Sequence, residues 1–262
     1  MHPLLKATTA LAVILAVAGC SSTSSSDVGP TGRVNFRLST TPVGGAGGST
    51  LTADVIVTQG SDVLVITDVQ LVARKIKLER SNGSCPTPVL TSPEGSGRDA
   101  DSDDTDECPN LRLGPMLLDP PLGEGAQTTF SVDLPAGSYH ELKMQIHKPT
   151  SSSSDAAFLA ANPAFSGVSI KVTGTFNGAP FAFTTDLTAE VEMEFDTPVV
   201  VTAGETTSLT LQLDVRGWFL AQGGGALLNP STLSQQGRQR VEQNIRGSFH
   251  SFEDENQDGR RD

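Results

Sequence analysis

From Arg33 onward, apolar residues recur at every second position rather than at helical spacing. Val34, Phe36 and Leu38 alternate with polar neighbours, as do Val69, Leu71 and Ala73. Ile76 and Leu78 then resume one residue out of phase, which predicts a β-bulge near Arg74-Lys75. Phe130, Val132 and Leu134 alternate up to Pro135-Ala136-Gly137-Ser138, a turn rich in punctuating residues, and Leu142, Met144 and Ile146 follow it. Val168, Ile170, Val172 and Phe176 lead to Asn177-Gly178, a strong hairpin signal, with Phe181 and Phe183 on the return strand. Val191, Met193 and Phe195 alternate next, and Leu209, Leu211, Leu213 and Val215 close the series. Short alternating strands with turn signals between them predict an all-β, antiparallel β-sandwich over about 33–228.

Two helical pieces interrupt the alternation. Asp155 is placed to cap a short turn through Ala161, which Pro163 stops. Asn229-Pro230 puts an N-cap before a proline at the first helical position. From there Leu233, Val241 and Ile245 form a thin apolar stripe to about Gly247, which predicts a short C-terminal helix on the sandwich surface, followed by an acidic tail; the two together occupy 229–262.

The N-terminal end reads differently. Lys6 supplies a positive charge, Leu11 to Ala18 form a short apolar run, and Val17-Ala18-Gly19-Cys20 ends it on small residues. A bilayer-spanning helix needs about 20 apolar residues, so 1–19 reads as a signal peptide rather than a membrane span. The last four residues resemble the lipobox of bacterial lipoproteins. That resemblance implies lipidation at Cys20, a cell-envelope location and, with Ser21 rather than Asp after the cysteine, the outer membrane. Residues 20–32 are rich in Ser and read as a flexible tether.

Export places Cys85 and Cys108 in an oxidising compartment, where a disulfide is the default pairing. It would close a loop of 22 intervening residues and contribute about 3 kcal/mol in the loop-entropy view. The alternative, a metal pair, has no nearby His or further Cys to complete it. The insert within that loop, about 86–107, reads as a solvated, disordered acidic excursion.

The chain of 262 residues carries a net charge of −12. This acidity excludes phosphate-neutralising binding to nucleic acid. With one Trp and one Tyr, a carbohydrate platform of exposed aromatic rings is also disfavoured. Much of the charge sits in two stretches, 94–107 and 252–262.

Several segments resemble a group of bacterial secreted lipoproteins without established activity. They are Asn110-Leu-Arg-Leu-Gly-Pro-Met-Leu-Leu118, Leu134-Pro-Ala-Gly-Ser-Tyr139, Ser169-Ile-Lys-Val-Thr-Gly-Thr-Phe-Asn-Gly178, Arg216-Gly-Trp-Phe219, and Val241-Glu-Gln-Asn-Ile-Arg-Gly-Ser-Phe249 through Gly259. The resemblance implies an immunoglobulin-like or transthyretin-like β-sandwich and transfers no catalytic residue.

The candidate chemistry is sparse. Asp254-Glu255-Asn256-Gln257-Asp258-Gly259 places oxygen ligands at alternate positions before a glycine, and Asp262 falls at the ninth position. Asp254, Asn256, Asp258 and Asp262 therefore form a candidate calcium loop that lacks the bidentate Glu at its twelfth position, with an expected affinity of roughly 0.1 to 1 mM. The competing reading is a solvated tail. Asp99, Asp101, Asp103, Asp104 and Asp106 invite a cation too, but without a turn glycine they read as a solvated loop.

Glu190, Glu192, Glu194 and Asp196 project from one face of a strand. They are expected to face solvent, balanced by Lys75, Lys77 or Lys171, rather than to act as glycosidase carboxylates. His140 lies close to Ser138 but has no nucleophile elbow, and His147 is expected to be exposed beside Glu141, Lys143 and Gln145. The run at 44–48, rich in Gly, lacks the Lys and helix of a phosphate loop. Trp218 and Phe219 read as a core plug in preference to a partner anchor. No catalytic residue is assigned. The expected function is a non-catalytic, lipid-anchored envelope module for a protein or surface polymer, assisted by calcium. The alternatives are an accessory module of a polysaccharide or pilus-like adhesive assembly and, less favoured, a hydrolase.

Overall fold

The computed structural model describes residues 30–40, 54–81, 111, 114–123 and 125–255. The signal segment, Cys20, Cys85, Cys108, the acidic insert, the run at 44–48 and the tail positions Asn256, Asp258 and Asp262 lie outside the described residues.

Two sheets face each other across one apolar core. The first is ordered β11-β10-β1-β5, with β1 Thr31–Thr40, β5 Gln127–Pro135, β10 Thr206–Leu213 and β11 Phe249–Glu253. The second is ordered β8-β7-β3-β6-β9, with β3 Asp62–Arg80, β6 Gly137–Ile146, β7 Ile170–Phe176, β8 Ala179–Thr185 and β9 Ala189–Val201. Two shorter strands, β2 Val55–Gln59 and β4 Met116–Leu118, add to β3. All the ladders are antiparallel except β1 with β10, which run parallel. The alternating residues face inward as their period requires: Val34, Phe36 and Leu38 from β1, Leu142, Met144 and Ile146 from β6, and Leu209, Leu211 and Leu213 from β10 are all buried in the same core.

Strand β3 changes partner midway, pairing with β7 over Leu64–Leu71 and with β6 from Ala73 onward. At the handover the Val72 N–H donates to the Ser169 carbonyl, and the Val72 carbonyl accepts from the His147 N–H. The predicted bulge is present. The β3–β6 register jumps between Arg74 and Lys77, and Lys75 has a φ of 53°. The predicted hairpin also forms: Asn177 and Gly178, with φ of 50° and 80°, close β7 onto β8 as a type I′ turn. The turn after Pro135 does not make a hairpin, because β5 and β6 belong to different sheets. It is a corner between the layers, held by the buried Tyr139, whose hydroxyl donates to the Pro135 carbonyl at 2.8 Å. This is the geometry of a tyrosine corner, four residues long.

The structure revises the C-terminal expectation. Asn229-Pro230 makes only a turn, in which the Asn229 side chain accepts from the Ser231 N–H. Helix α2, Gln235–Arg246, is instead capped by Ser234, whose hydroxyl accepts from the Gly237 N–H at 3.1 Å. A side chain that can satisfy an orphan N–H fixes the start more strongly than a proline that merely lacks one. The stripe is thin but fully used: Val241 and Ile245 are buried in the core. Beyond α2 the chain re-enters the sandwich as β11, pairing with β10. Trp218 and Phe219 are buried as a core plug. The Trp218 indole N–H donates to Ser248 at 2.8 Å, and the Phe219 ring packs edge-on against Phe183 at 5.3 Å. The Asn244 amide nitrogen, on α2, donates to the carbonyls of Gly217, Trp218 and Leu220.

Candidate functional site

The chemistry collects on the outer face of the second sheet, where β3, β6 and β9 run side by side. Leu78, Leu142 and Met193 point into the core, so their neighbours point outward. Glu79 on β3 sits opposite Glu141 on β6, and Glu141 sits opposite Glu194 on β9. A second irregularity falls at His140, where both ladders of β6 shift register between Tyr139 and Glu141. The bulge turns two consecutive residues, His140 and Glu141, to the same side.

Glu79, His140 and Glu141 consequently bring one ligand atom each to within 4.8 Å of one another. Lys143 reaches the same carboxylates. Its ammonium lies 3.1 Å from Glu79, 3.4 Å from Glu141 and 3.6 Å from Glu192. Burial opposes the ammonium charge, but the hydrogen bond that Lys143 donates to Glu79 and the charges of Glu141, Glu79 and Glu192 outweigh it and hold the Lys143 pKa above the lysine range. Burial pushes the Glu141 pKa up, and Glu79 and Glu192 add to the rise, against Lys143. The His140 Nδ1 is shielded from solvent and has no hydrogen-bond partner among the described residues.

Sequence reasoning did not find this trio. The available signal was the three-residue spacing from Tyr139 to Leu142, both buried, which breaks the two-residue period. The partner Glu79 comes from a different strand and leaves no local mark.

Next to this face lies a cleft of about 360 Å³ where edge strand β9 meets β11. Glu192, Glu194 and Asp196 line it from β9, with His250 and Ser251 from β11 and Gln212 from β10. The alternating carboxylates of β9 are exposed, as expected. Lys143 is a cation that reaches them, lying 3.6 Å from Glu192. Lys77 is instead buried opposite Lys143 in the register, and Lys171 lies over the Phe165 ring at 5.3 Å.

At the other end of β6 the structure corrects a second expectation. His147 is buried, 6% exposed, and not open to solvent beside Glu141. Strand β6 ends at Ile146, so the alternation that would point His147 outward stops there. The chain folds back through 148–155, and the His147 Nε2 lies 2.9 Å from the Asp155 Oδ2, which also accepts from the Thr150 N–H at 2.8 Å. Asp155 occupies the N-cap position of α1, Ala156–Ala161, but makes no capping bond, because its carboxylate is turned inward to His147 and Thr150. Burial lowers the His147 pKa, with Asp155 opposing in part. Burial works against the Asp155 charge, but the Thr150 N–H and His147 hold its pKa below the usual carboxylate range.

Of the candidate calcium ligands, only Asp254 is described. It is fully buried at the end of β11, with its Oδ2 accepting from the Thr210 hydroxyl at 2.8 Å and its N–H donating to the Ser208 carbonyl. Ser138 does not engage His140 as a nucleophile pair: its hydroxyl lies 3.2 Å from that of Ser81. No helix among the described residues is long and apolar enough to cross a membrane.

No protein family and no curated protein matches the chain. Among solved structures, MbnP from Methylosinus trichosporium aligns at 13% identity with a TM-score of 0.42, over 85% of this chain and 98% of that one. So loose a superposition leaves the architecture to rest on the chain's own sheets.

Proposed function

We propose that the chain is a non-catalytic binding module of the bacterial cell envelope, held by a lipid at Cys20, whose β9 face engages a positively charged segment of a partner. The observation that carries this reading is the β9–β11 cleft. Three carboxylates, Glu192, Glu194 and Asp196, line it beside His250 at a junction of the two sheets. Its volume is at the small end for a ligand pocket and suits an extended basic side chain. Glu190 continues the acidic row along the exposed face, and such a row raises the encounter rate with a cationic partner.

The test is a fluorescence anisotropy titration of an oligolysine peptide with the full-length chain. Glu190→Gln, Glu194→Gln and Asp196→Asn combined are expected to weaken binding at least tenfold and to flatten its salt dependence. Unchanged affinity in the triple variant overturns the β9 reading. The anchor is tested separately. Inhibiting lipoprotein signal processing should leave a larger precursor, and an unchanged size removes Cys20 lipidation.

A further inference from the structure

We propose that Glu79, His140 and Glu141 form a binding site for one divalent transition-metal ion, with zinc the ion that the donor set fits. The inference is independent of the cationic-partner reading. It rests on two observations. The first is geometric: one imidazole nitrogen and two carboxylate oxygens, drawn from two paired strands, already lie within 4.8 Å of one another. Ligands around a tetrahedral zinc sit about 2.0–2.2 Å from the ion, so modest side-chain rotation closes the set. The backbone supports it, since Glu79 and Glu141 are register partners and the bulge places His140 on their side.

The second observation is the imidazole itself. The His140 Nδ1 is withdrawn from water and has no hydrogen-bond partner among the described residues. An imidazole next to two carboxylates, with one ring nitrogen withdrawn from water and unbonded, has coordinating capacity that the described residues do not use, whereas a buried polar atom is ordinarily satisfied. The donor mixture decides the metal class. Calcium takes six to eight oxygens and would make little use of an imidazole. Nitrogen with carboxylate oxygen suits zinc, and three protein ligands leave one position for water.

Lys143 sharpens the argument. Its ammonium sits 3.1 Å from Glu79 and 3.4 Å from Glu141, so it is the counter-ion of the metal-free state. An incoming divalent ion competes with it for the same oxygens. The ammonium can retain Glu192, 3.6 Å away on β9.

The experiment is zinc titration of the untagged, EDTA-stripped full-length chain against a chromophoric chelator. One zinc per chain is expected. His140→Ala and Glu79→Gln should each weaken it at least tenfold, and Lys143→Met should tighten it several-fold by removing the internal competitor. That gain cannot arise from misfolding. Asp258→Asn in the tail and Glu190→Gln on β9 should leave zinc affinity unchanged. With Co2+ as the probe, the visible bands of a four-coordinate ion should appear in the wild type and vanish in His140→Ala. Absence of stoichiometric zinc, or zinc binding indifferent to His140→Ala, overturns the site, and loss in Asp258→Asn alone moves it to the tail.

Discussion

Strand β6 carries a histidine–carboxylate group at each end, and the two have opposite characters. At its C-terminal end His147 and Asp155 are both buried, and the Asp155 carboxylate accepts from the Thr150 N–H as well as facing the imidazole. At its N-terminal end Glu79, Glu141 and Glu192 crowd a single ammonium while the neighbouring His140 Nδ1 has no partner among the described residues. The same residue types thus produce a closed strut in one place and an over-charged, half-open cluster in the other. Satisfaction of the polar atoms, rather than residue identity or burial alone, separates a structural group from one poised for a ligand.

The largest effect should come from breaking the closed end. Asp155→Ala strands the buried His147 and the Thr150 N–H, and is expected to cost about 2–4 kcal/mol in urea unfolding. Lys143→Met at the open end should cost less, about 1–2 kcal/mol in the presence of EDTA, because Glu79 and Glu192 retain access to water and the buried Glu141 can take up a proton. Equal losses for the two would erase the contrast.

Acid should separate the ends without mutation. The folded His147 pKa is lowered, so its contribution is present above the unfolded value near 6.5 and is lost as pH falls through that range. The lowered Asp155 pKa adds a further loss below about pH 4. Glu141 has the opposite sign. Its raised pKa makes its contribution greatest in acid and diminished as pH rises. Amide exchange, corrected for intrinsic rate, should therefore show Thr150 opening on acidification from pH 7 while Lys143 does not. The smallest effect should be that of His140→Ala on metal-free stability, within about 0.5 kcal/mol by the same unfolding measurement, since its Nδ1 makes no bond to lose.

What could be read from the sequence was local. Asn177-Gly178 encodes its own turn, and the phase slip from Ala73 to Ile76 encodes its own bulge. The alternation of Leu209, Leu211 and Leu213 gave a buried strand face, but nothing in it could reveal that β10 pairs in parallel with β1, more than 160 positions earlier. The burial of His147 leaves no mark in the alternation, because it is made by the return of 148–155. The Glu79–His140–Glu141 cluster required knowing which strands are neighbours. The short polar segment Phe249–Glu253 showed too little pattern to announce β11.

That last strand has a consequence for biosynthesis. The first sheet is assembled from both extremes of the described chain, with β1 beside β10 and β10 beside β11. During synthesis β1 can pair with β5 but must wait for β10, which arrives more than 160 residues later, and β10 keeps an open edge until residue 253 has been made. A nascent chain arrested after α2 would expose that edge as a template for other unfinished chains. Closure of the first sheet at β10 is therefore delayed until the five-residue strand β11 has been made.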